Sequence, residues 1–331
     1  LKIGFWIIGL LTTGCLQAQT LVKRTVTLMG SRWDITLVCY DSLTGEKYID
    51  TVIAEVTRIE YLISDWKTQT QVSEINRQAG ITAVRVDSEV LTLTQRALQW
   101  SKITGGAFDI SFAAMDRIWK FDGSMTEMPT PEAIRKSVEK VGHKNIEIDT
   151  VASTIFLKLP GMKIGFGALG EGYAADRCRE LMEAKGIKAG IINGSGDMSV
   201  WGQHPSGEPW TIGLAHPKEQ DELFAVIPLQ QKAVTTSGNY EKYVLFNGKR
   251  YAHIINPATG YPATGLTSVT VIGPFAETAN GLSTSIMVLG AKKGRRLIKE
   301  FPDYSCVMIN DKGKVILSKN LSKKIFKGWK I

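Results

Sequence analysis

Met162-Lys-Ile-Gly-Phe-Gly-Ala-Leu-Gly-Glu-Gly-Tyr-Ala-Ala-Asp176 opens the stretch that decides the reading of this chain. A helical run follows it, then Ala189-Gly-Ile-Ile-Asn-Gly-Ser-Gly-Asp197. The apolar residues 162–164 predict a short strand feeding four close glycines, Gly165, Gly167, Gly170 and Gly172. Over 173–185 the apolar period turns helical, with Ala174, Cys178, Leu181 and Met182 on one face and Gly186 where a C-cap is expected. Residues 189–192 predict a second buried strand, ending in Asn193-Gly-Ser-Gly-Asp197. Glycine clusters at strand ends leave backbone N–H groups bare, so that they can approach phosphate oxygens closely.

Gly165-Phe-Gly-Ala-Leu-Gly170 also has the G-x-G-x-x-G form of dinucleotide-binding parallel α/β folds. That fold needs repeated βα units, and the segments on both sides read instead as antiparallel hairpins. A purely structural role, glycines that let helix and sheet pack closely, is the other reading of the same pattern.

The 331 residues suffice for one large domain or two, and 44% apolar with 22% charged residues is the balance of a globular chain. The net charge of +8 comes from dispersed lysines, with only short C-terminal clusters such as Lys323-Lys324. This suits anionic small molecules or an anionic membrane surface, or is simply a basic solvated surface. Basic and aromatic residues do not interleave, so no nucleic-acid partner is expected. Residues 1–19 combine Lys2 with the apolar run 3–11, which predicts an export signal too short for a stable membrane span. Thr12-Thr-Gly-Cys15 resembles a lipoprotein cleavage box, and Leu16-Gln-Ala18 offers an ordinary cleavage site instead. The expected location is the periplasm, either free or held at the inner membrane through a lipid on Cys15. Cys39, Cys178 and Cys306 remain in the mature part, an odd number that permits a Cys39–Cys306 bridge without demanding one.

Alternation over 21–29 and 32–40, broken at Gly30-Ser31, predicts an opening hairpin. Helices are expected at 49–65, from Ser73 to Gly80, and from a Ser88 cap to Gly105-Gly106. Gly123 to Pro131 reads as an interior linker, with Thr130-Pro131 starting a helix as cap and first-turn proline. Hairpins are predicted at Asp149-Thr150, at Asn247-Gly248 and at Asp311-Lys-Gly313, and helices at 277–289 and 295–301 with Gly290 between them. The fold class is α+β with a mostly antiparallel sheet and packed helices.

Several separated segments together resemble the FAD:protein FMN transferase (ApbE) family. They are Met29-Gly-Ser, Ser64-Asp-Trp, Gly105-Gly-Ala-Phe-Asp109, Gly167-Ala-Leu-Gly-Glu-Gly-Tyr-Ala-Ala-Asp176, and Asn193-Gly-Ser-Gly-Asp197. Thr236-Ser-Gly238, His253-Ile-Ile-Asn-Pro-Ala-Thr-Gly260 and Ala279-Asn-Gly-Leu-Ser-Thr284 continue the series in the family's order. The resemblance implies a T-fold-related architecture over 20–331, with room for two lobes and the FAD site between them. It also implies an exported, magnesium-dependent enzyme that cleaves FAD and attaches FMN to a Thr or Ser of an exported or membrane flavoprotein.

Carried over by position, Met29, Trp66, Ala107, Phe108, Asp109, Gly165, Glu171 and Ile254 fall on flavin-dinucleotide contacts. His253 and Asp176 are the candidate catalytic residues, and Ala168, Asn280, Ser283 and Thr284 the candidate Mg2+ residues. Residue by residue, Phe108 and Ile254 are equally compatible with core positions, Asp109 with the start of a turn, and His253 with a structural histidine. Three positions depart from the family pattern: Asn280 where Asp is usual, Glu171 where Lys is common, and Gly165 where many members carry Asp. These departures motivate a second reading, a protein that holds or delivers FAD with little turnover.

Overall fold

The alternating opening segments pair as expected, with the turn one residue earlier than the sequence suggests. In the computed structural model, which describes residues 19–115, 118–215, 223–229, 231–240 and 242–321, β1 (Thr20–Leu28) runs antiparallel to β2 (Ser31–Cys39). Leu28 faces Ser31, so Met29 and Gly30 make the turn, both at positive φ (52° and 75°). Two left-handed residues give a type I′ turn, whose twist matches that of the strands, and Ser31 is thereby drawn into the ladder.

The chain continues through α1 (Ser42–Ile63), α2 (Gln71–Arg77), β3 (Val84–Arg85), α3 (Ser88–Thr104), α4 (Pro131–Ser137), β4 (Ile146–Asp149) and β5 (Thr154–Leu157). Next come α5 (Gly170–Ala184), β6 (Gly190–Gly194), β7 (Asp197–Trp201), β8 (Trp210–Ala215), β9 (Leu223–Leu229), β10 (Lys232–Gly238), β11 (Tyr243–Phe246) and β12 (Lys249–Ala252). The final elements are β13 (Leu266–Gly273), α6 (Ala276–Leu297), β14 (Ser305–Asn310) and β15 (Val315–Leu317). Eight strands form one sheet in the order β1-β2-β6-β7-β10-β13-β14-β15, and every neighbouring pair is antiparallel. The α+β expectation is met, and the parallel dinucleotide fold suggested by the glycine spacing is ruled out.

Strand alternation sorts the apolar residues onto two faces. Trp33, Ile35 and Leu37 of β2, Val269 and Val271 of β13, and Met308 of β14 enter the main core beneath α1, α5 and α6. Val38, Ile272, Val307 and Ile309 point the other way, onto Trp210, Leu214 and Ile227 of the β8–β9 hairpin. A third, small cluster joins Trp119, Ile134, Val244 and Ile255 around α4 and the β11–β12 hairpin. That hairpin turns at Asn247-Gly248 (φ 51° and 73°), as its sequence demands.

Local signals fix most element ends. Thr130 accepts from Ala133 N (3.2 Å) ahead of Pro131, and Gly105 closes α3 in the left-handed region. Asp87, not Ser88, caps α3, accepting from Glu89 N at 2.8 Å; the two residue types cap equally well, and Asp lies one position ahead. Gly290 (φ 74°, ψ 169°) breaks α6 where the sequence places a stop, but the helix resumes at once.

Residues 162–164 form no strand. In place of a strand ladder, a side chain serves Ile164: Asn76 accepts from Ile164 N (2.8 Å) and donates to Ile164 O (3.0 Å). Met162 and Ile164 are fully buried all the same, which is why the apolar pattern imitates a strand. The α5 helix starts at Gly170, earlier than the residue 173 expected from periodicity. Cys39, Cys178 and Cys306 are free and buried. The Cys39–Cys306 bridge does not form, because β2 and β14 are five strand spacings apart in the sheet, roughly 24 Å. Among the described residues no helix is long and apolar enough to cross a membrane; all but the last residue of the expected export signal 1–19, with Cys15, and Lys323-Lys324 lie outside them.

Candidate active site at the glycine turn

Two hairpin tips, the glycine turn and the middle of α6 meet at one end of the sheet. The first tip holds Met29 in the left-handed region, as its type I′ turn requires. Its neighbour Ser31 donates from Oγ to Glu171 Oε1 at 2.5 Å, tying the tip to the first turn of α5. The second tip, Ser195-Gly196 (φ 51° and 101°) between β6 and β7, is pinned by Ser195 N to Arg32 O (2.9 Å) and by Gly196 N to Asn193 Oδ1 (2.9 Å).

The glycines serve different ends. A Cβ on Gly172 would lie 2.8 Å from the Ala276 carbonyl, so this glycine sets the approach of α5 to α6. A Cβ on Gly167 would meet nothing within 4 Å, which leaves that part of the turn open. Leu169 is the N-cap of α5 and caps with no side chain; Phe166 O takes Leu169 N (2.9 Å) and Gly170 N (2.7 Å), and the turn presents the positive end of the helix dipole. Glu171 is the one acidic residue in that turn, where the dipole favours it. Gly165 is held by Ile110 O (3.0 Å), and its missing side chain leaves room for Asp65, whose Oδ2 is 3.1 Å from the Cβ position. A carboxylate at 165 would stand against Asp65, which accounts for glycine there.

Asn280 and Thr284 lie one turn apart on α6, and Thr284 Oγ1 is 3.3 Å from Asn280 Oδ1. That separation suits adjacent ligands of one hard cation, whose cis oxygens span about 2.9–3.6 Å at ordinary Mg2+ and Ca2+ bond lengths. Asn280 Nδ2 donates to Asp197 Oδ2, and both residues are buried. Ser283 Oγ donates to Asn280 O (3.1 Å) and shares a hydrogen bond with Ser237 Oγ (2.8 Å), so it bridges α6 to β10 and is spent on structure. Ala168 lies in the turn before α5. The oxygen set fits a hard cation in donor type, but its only carboxylate, Asp197, stands behind the amide. Among the described residues no three His, Cys, Asp or Glu side chains cluster as a metal site.

The flavin-contact candidates divide. Trp66 is 54% exposed on a loop fixed by Thr70 Oγ1 to Ser64 O (2.5 Å) and Ser73 Oγ to Lys67 O (2.7 Å), a rigid mount for an exposed indole. Ala107 and Phe108 are buried, Phe108 at 6.5 Å from Trp100, so its ring belongs to the core. Asp109 uses both carboxylate oxygens internally: Oδ1 accepts from Ser111 N (2.9 Å) and Oγ (2.6 Å), and Oδ2 binds His143 N (2.8 Å) and Nδ1 (3.0 Å). Ile254 packs against the main core, and its carbonyl accepts from Ala263 N at 2.8 Å.

Of the catalytic candidates, Asp176 is buried at the α5–α6 junction, accepting from Ser199 Oγ (2.9 Å) and Glu277 N (3.0 Å). Burial pushes its carboxyl above the usual range, against the hydrogen bonds and Arg179 that favour the anion. Ser199 is two residues from Asp197 on β7, so both side chains lie on one face of that strand. Asp176 also borders a cavity of about 630 Å³ between α3, α5 and the start of α6, lined by Glu89, Trp100, Tyr173 and Phe301 but by no residue of the glycine turn. His253 follows β12; its Nδ1 is 3.3 Å from Lys242 O and its ring meets Phe121 edge-on at 6.5 Å. Burial, with the Lys242 charge, lowers its pKa below the ordinary histidine value and keeps it neutral at pH 7.

Asp197, Asn76 and Asp65 were not singled out by sequence as site residues. Asp197 closes the quoted Asn193-Gly-Ser-Gly-Asp197 run and Asp65 lies in the quoted Ser64-Asp-Trp segment, which are the available signals; Asn76 has none.

A family model described as the ApbE family matches residues 29–308. The FAD:protein FMN transferase of Salmonella typhimurium is 30% identical over 294 residues, covering 87% of this chain and 83% of that protein. The crystal structure of the ApbE protein of Thermotoga maritima superposes with a TM-score of 0.82 at 29% identity, covering 91% of this chain and 97% of the other. The apo flavinyl transferase ApbE of Pseudomonas stutzeri gives 0.82 at 25% identity, with 95% and 98% covered.

Proposed function

The chain belongs to the ApbE family, and on that premise we propose that it is an FAD:protein FMN transferase acting on a flavoprotein. The observation that carries the reading is the close approach of the α5 N-terminus, at Gly172, to the start of α6, the helix that bears the Asn280–Thr284 oxygen pair. The first supplies N–H donors to an anionic phosphate, and the second supplies oxygens to the cation that accompanies it. In the reaction, the P–O bond to the AMP moiety of FAD breaks and a Thr or Ser oxygen of the acceptor bonds to the FMN phosphorus. AMP leaves, and the hydroxyl proton is lost.

Magnesium, when bound, would neutralise pyrophosphate charge. Asn280 and Thr284, with the Ala168 carbonyl, would hold it. The α5 N-terminus orients the phosphates, Trp66 offers a face to a flat ring, and neutral His253 is able to accept the hydroxyl proton. Export, and attachment to the inner membrane through Cys15, belong to the same proposal and rest on residues 1–19.

The neutral Asn280 and the anionic Glu171 support a second reading, a flavin-holding protein with slow or absent chemistry. Incubation with FAD, Mg2+ and a co-expressed flavoprotein subunit separates the two. AMP release with an acceptor mass increased by one FMN is expected; stoichiometric FAD binding without AMP would overturn the transferase reading.

A further inference from the structure

We infer that Asp197 is a positioning residue of the cation site, orienting the Asn280 amide and supplying through it the negative charge that residue 280 lacks. The inference rests on the proposed transferase site. An ionised carboxylate only accepts hydrogen bonds, so Asn280 must turn Nδ2 toward Asp197. That choice points Oδ1 away from Asp197, onto the side where Thr284 Oγ1 lies 3.3 Å distant. With both residues buried, water is a poor substitute for either partner.

Asp197 is itself rigidly placed. It pairs with Gly194 across the β6–β7 turn, and the turn is locked by the Asn193–Gly196 and Ser195–Arg32 hydrogen bonds. The Asn280 backbone is held by Ser283, and Ser283 by Ser237, so the amide has a fixed base as well as a fixed partner. The pair joins β7 to α6 across 83 positions of sequence. The arrangement sets a carboxylate on the strand facing the helix, with an amide between it and the cation. Outer partners of this kind fix ligand orientation and polarise it.

The test measures Mn2+ binding by electron paramagnetic resonance, with and without FAD, alongside apo melting temperatures. Asp197→Asn should weaken Mn2+ binding about 10–100-fold, the usual cost of losing such a partner. The reciprocal variant, Asp197→Asn with Asn280→Asp, should recover most of that loss, which a merely structural role for Asp197 would not allow. Unchanged Mn2+ affinity in Asp197→Asn, or a reciprocal variant as weak as the single one, overturns the inference. A second arm leaves residue 197 intact. Asn280→Asp sets two carboxylates together, so its apo melting temperature should fall and Mn2+ should raise it further than in the parent. A Mn2+ response equal to the parent's overturns the inference, as does a parent that binds no Mn2+ in either state. AMP release by the parent is scored separately. Mn2+ binding that follows the predicted pattern without AMP release defeats only the transferase reading, whereas AMP release with Mn2+ affinity insensitive to Asp197 defeats only the role of Asp197.

Discussion

Removing the Asp109 carboxylate should damage the fold before it damages flavin binding. The family resemblance implies a flavin contact at Asp109, but all four of its hydrogen bonds are internal and its side chain is 4% exposed. Asp109→Ala leaves Ser111 N and Oγ without an acceptor in a fully buried position, and His143 N without one in a half-buried position. Each orphaned donor costs about 1–3 kcal/mol, less where water reaches it, so the sum is about 3–5 kcal/mol. With roughly 2 cal/mol/K of unfolding entropy per residue, a chain of this length should melt about 5–8 °C lower. Asp109→Asn should lose about half as much, because Oδ1 still serves Ser111 while the amide N–H faces the His143 N–H. The damage should spread to the glycine turn, since Ile110 follows Asp109 and its carbonyl holds Gly165 N. Thermal unfolding of the flavin-free protein, followed by FAD titration calorimetry, checks the ordering. An apo variant melting within about 1 °C of the parent, with FAD affinity sharply reduced, would refute this reasoning and restore Asp109 as a ligand contact.

Three further outcomes follow from the packing and the titrating groups. Gly172→Ala should cost about 1–3 kcal/mol, because its Cβ meets backbone at Ala276 that cannot swing aside, whereas Gly167→Ala should leave the melting temperature unchanged; equal melting temperatures for the two would refute the packing argument. If His253 is the base, its acidic limb in the pH–rate profile should lie below pH 6.5, and Lys242→Ala should move that limb upward by removing a repelling charge. A limb that does not respond to Lys242 assigns the titration elsewhere. Asp176 has a folded pKa above its unfolded value of 3.8, so its contribution to stability is full below that pH and is lost as pH rises through the folded value. Asp176→Asn escapes this loss, so its melting temperature relative to the parent should climb between pH 4 and 7; a flat difference would show that the buried carboxyl does not titrate there.

What could be read from sequence alone depended on short-range physics. Asn247-Gly248 requires two left-handed residues, Thr130-Pro131 preorganises a first turn, and Gly105 tolerates the C-cap conformation; each is decided within a few residues. Alternation over 32–40 marked a strand, the element pattern gave the α+β class, and the ordered motifs identified the family. What only the tertiary structure decided was which distant groups meet. Residues 162–164 look like a strand by burial, yet the backbone groups of Ile164 go to the Asn76 side chain, 88 positions away. Phe108 and Asp109 carry the residue types of a ligand site, but α3 and the 143 turn use them first. Cys39 and Cys306 are held apart by the strand order, which no local pattern encodes. The Asp197–Asn280 pair belongs to the same class. A propensity acts through a residue's own dihedrals and near neighbours, whereas a hydrogen bond across 83 positions exists only once β7 and α6 have been packed face to face.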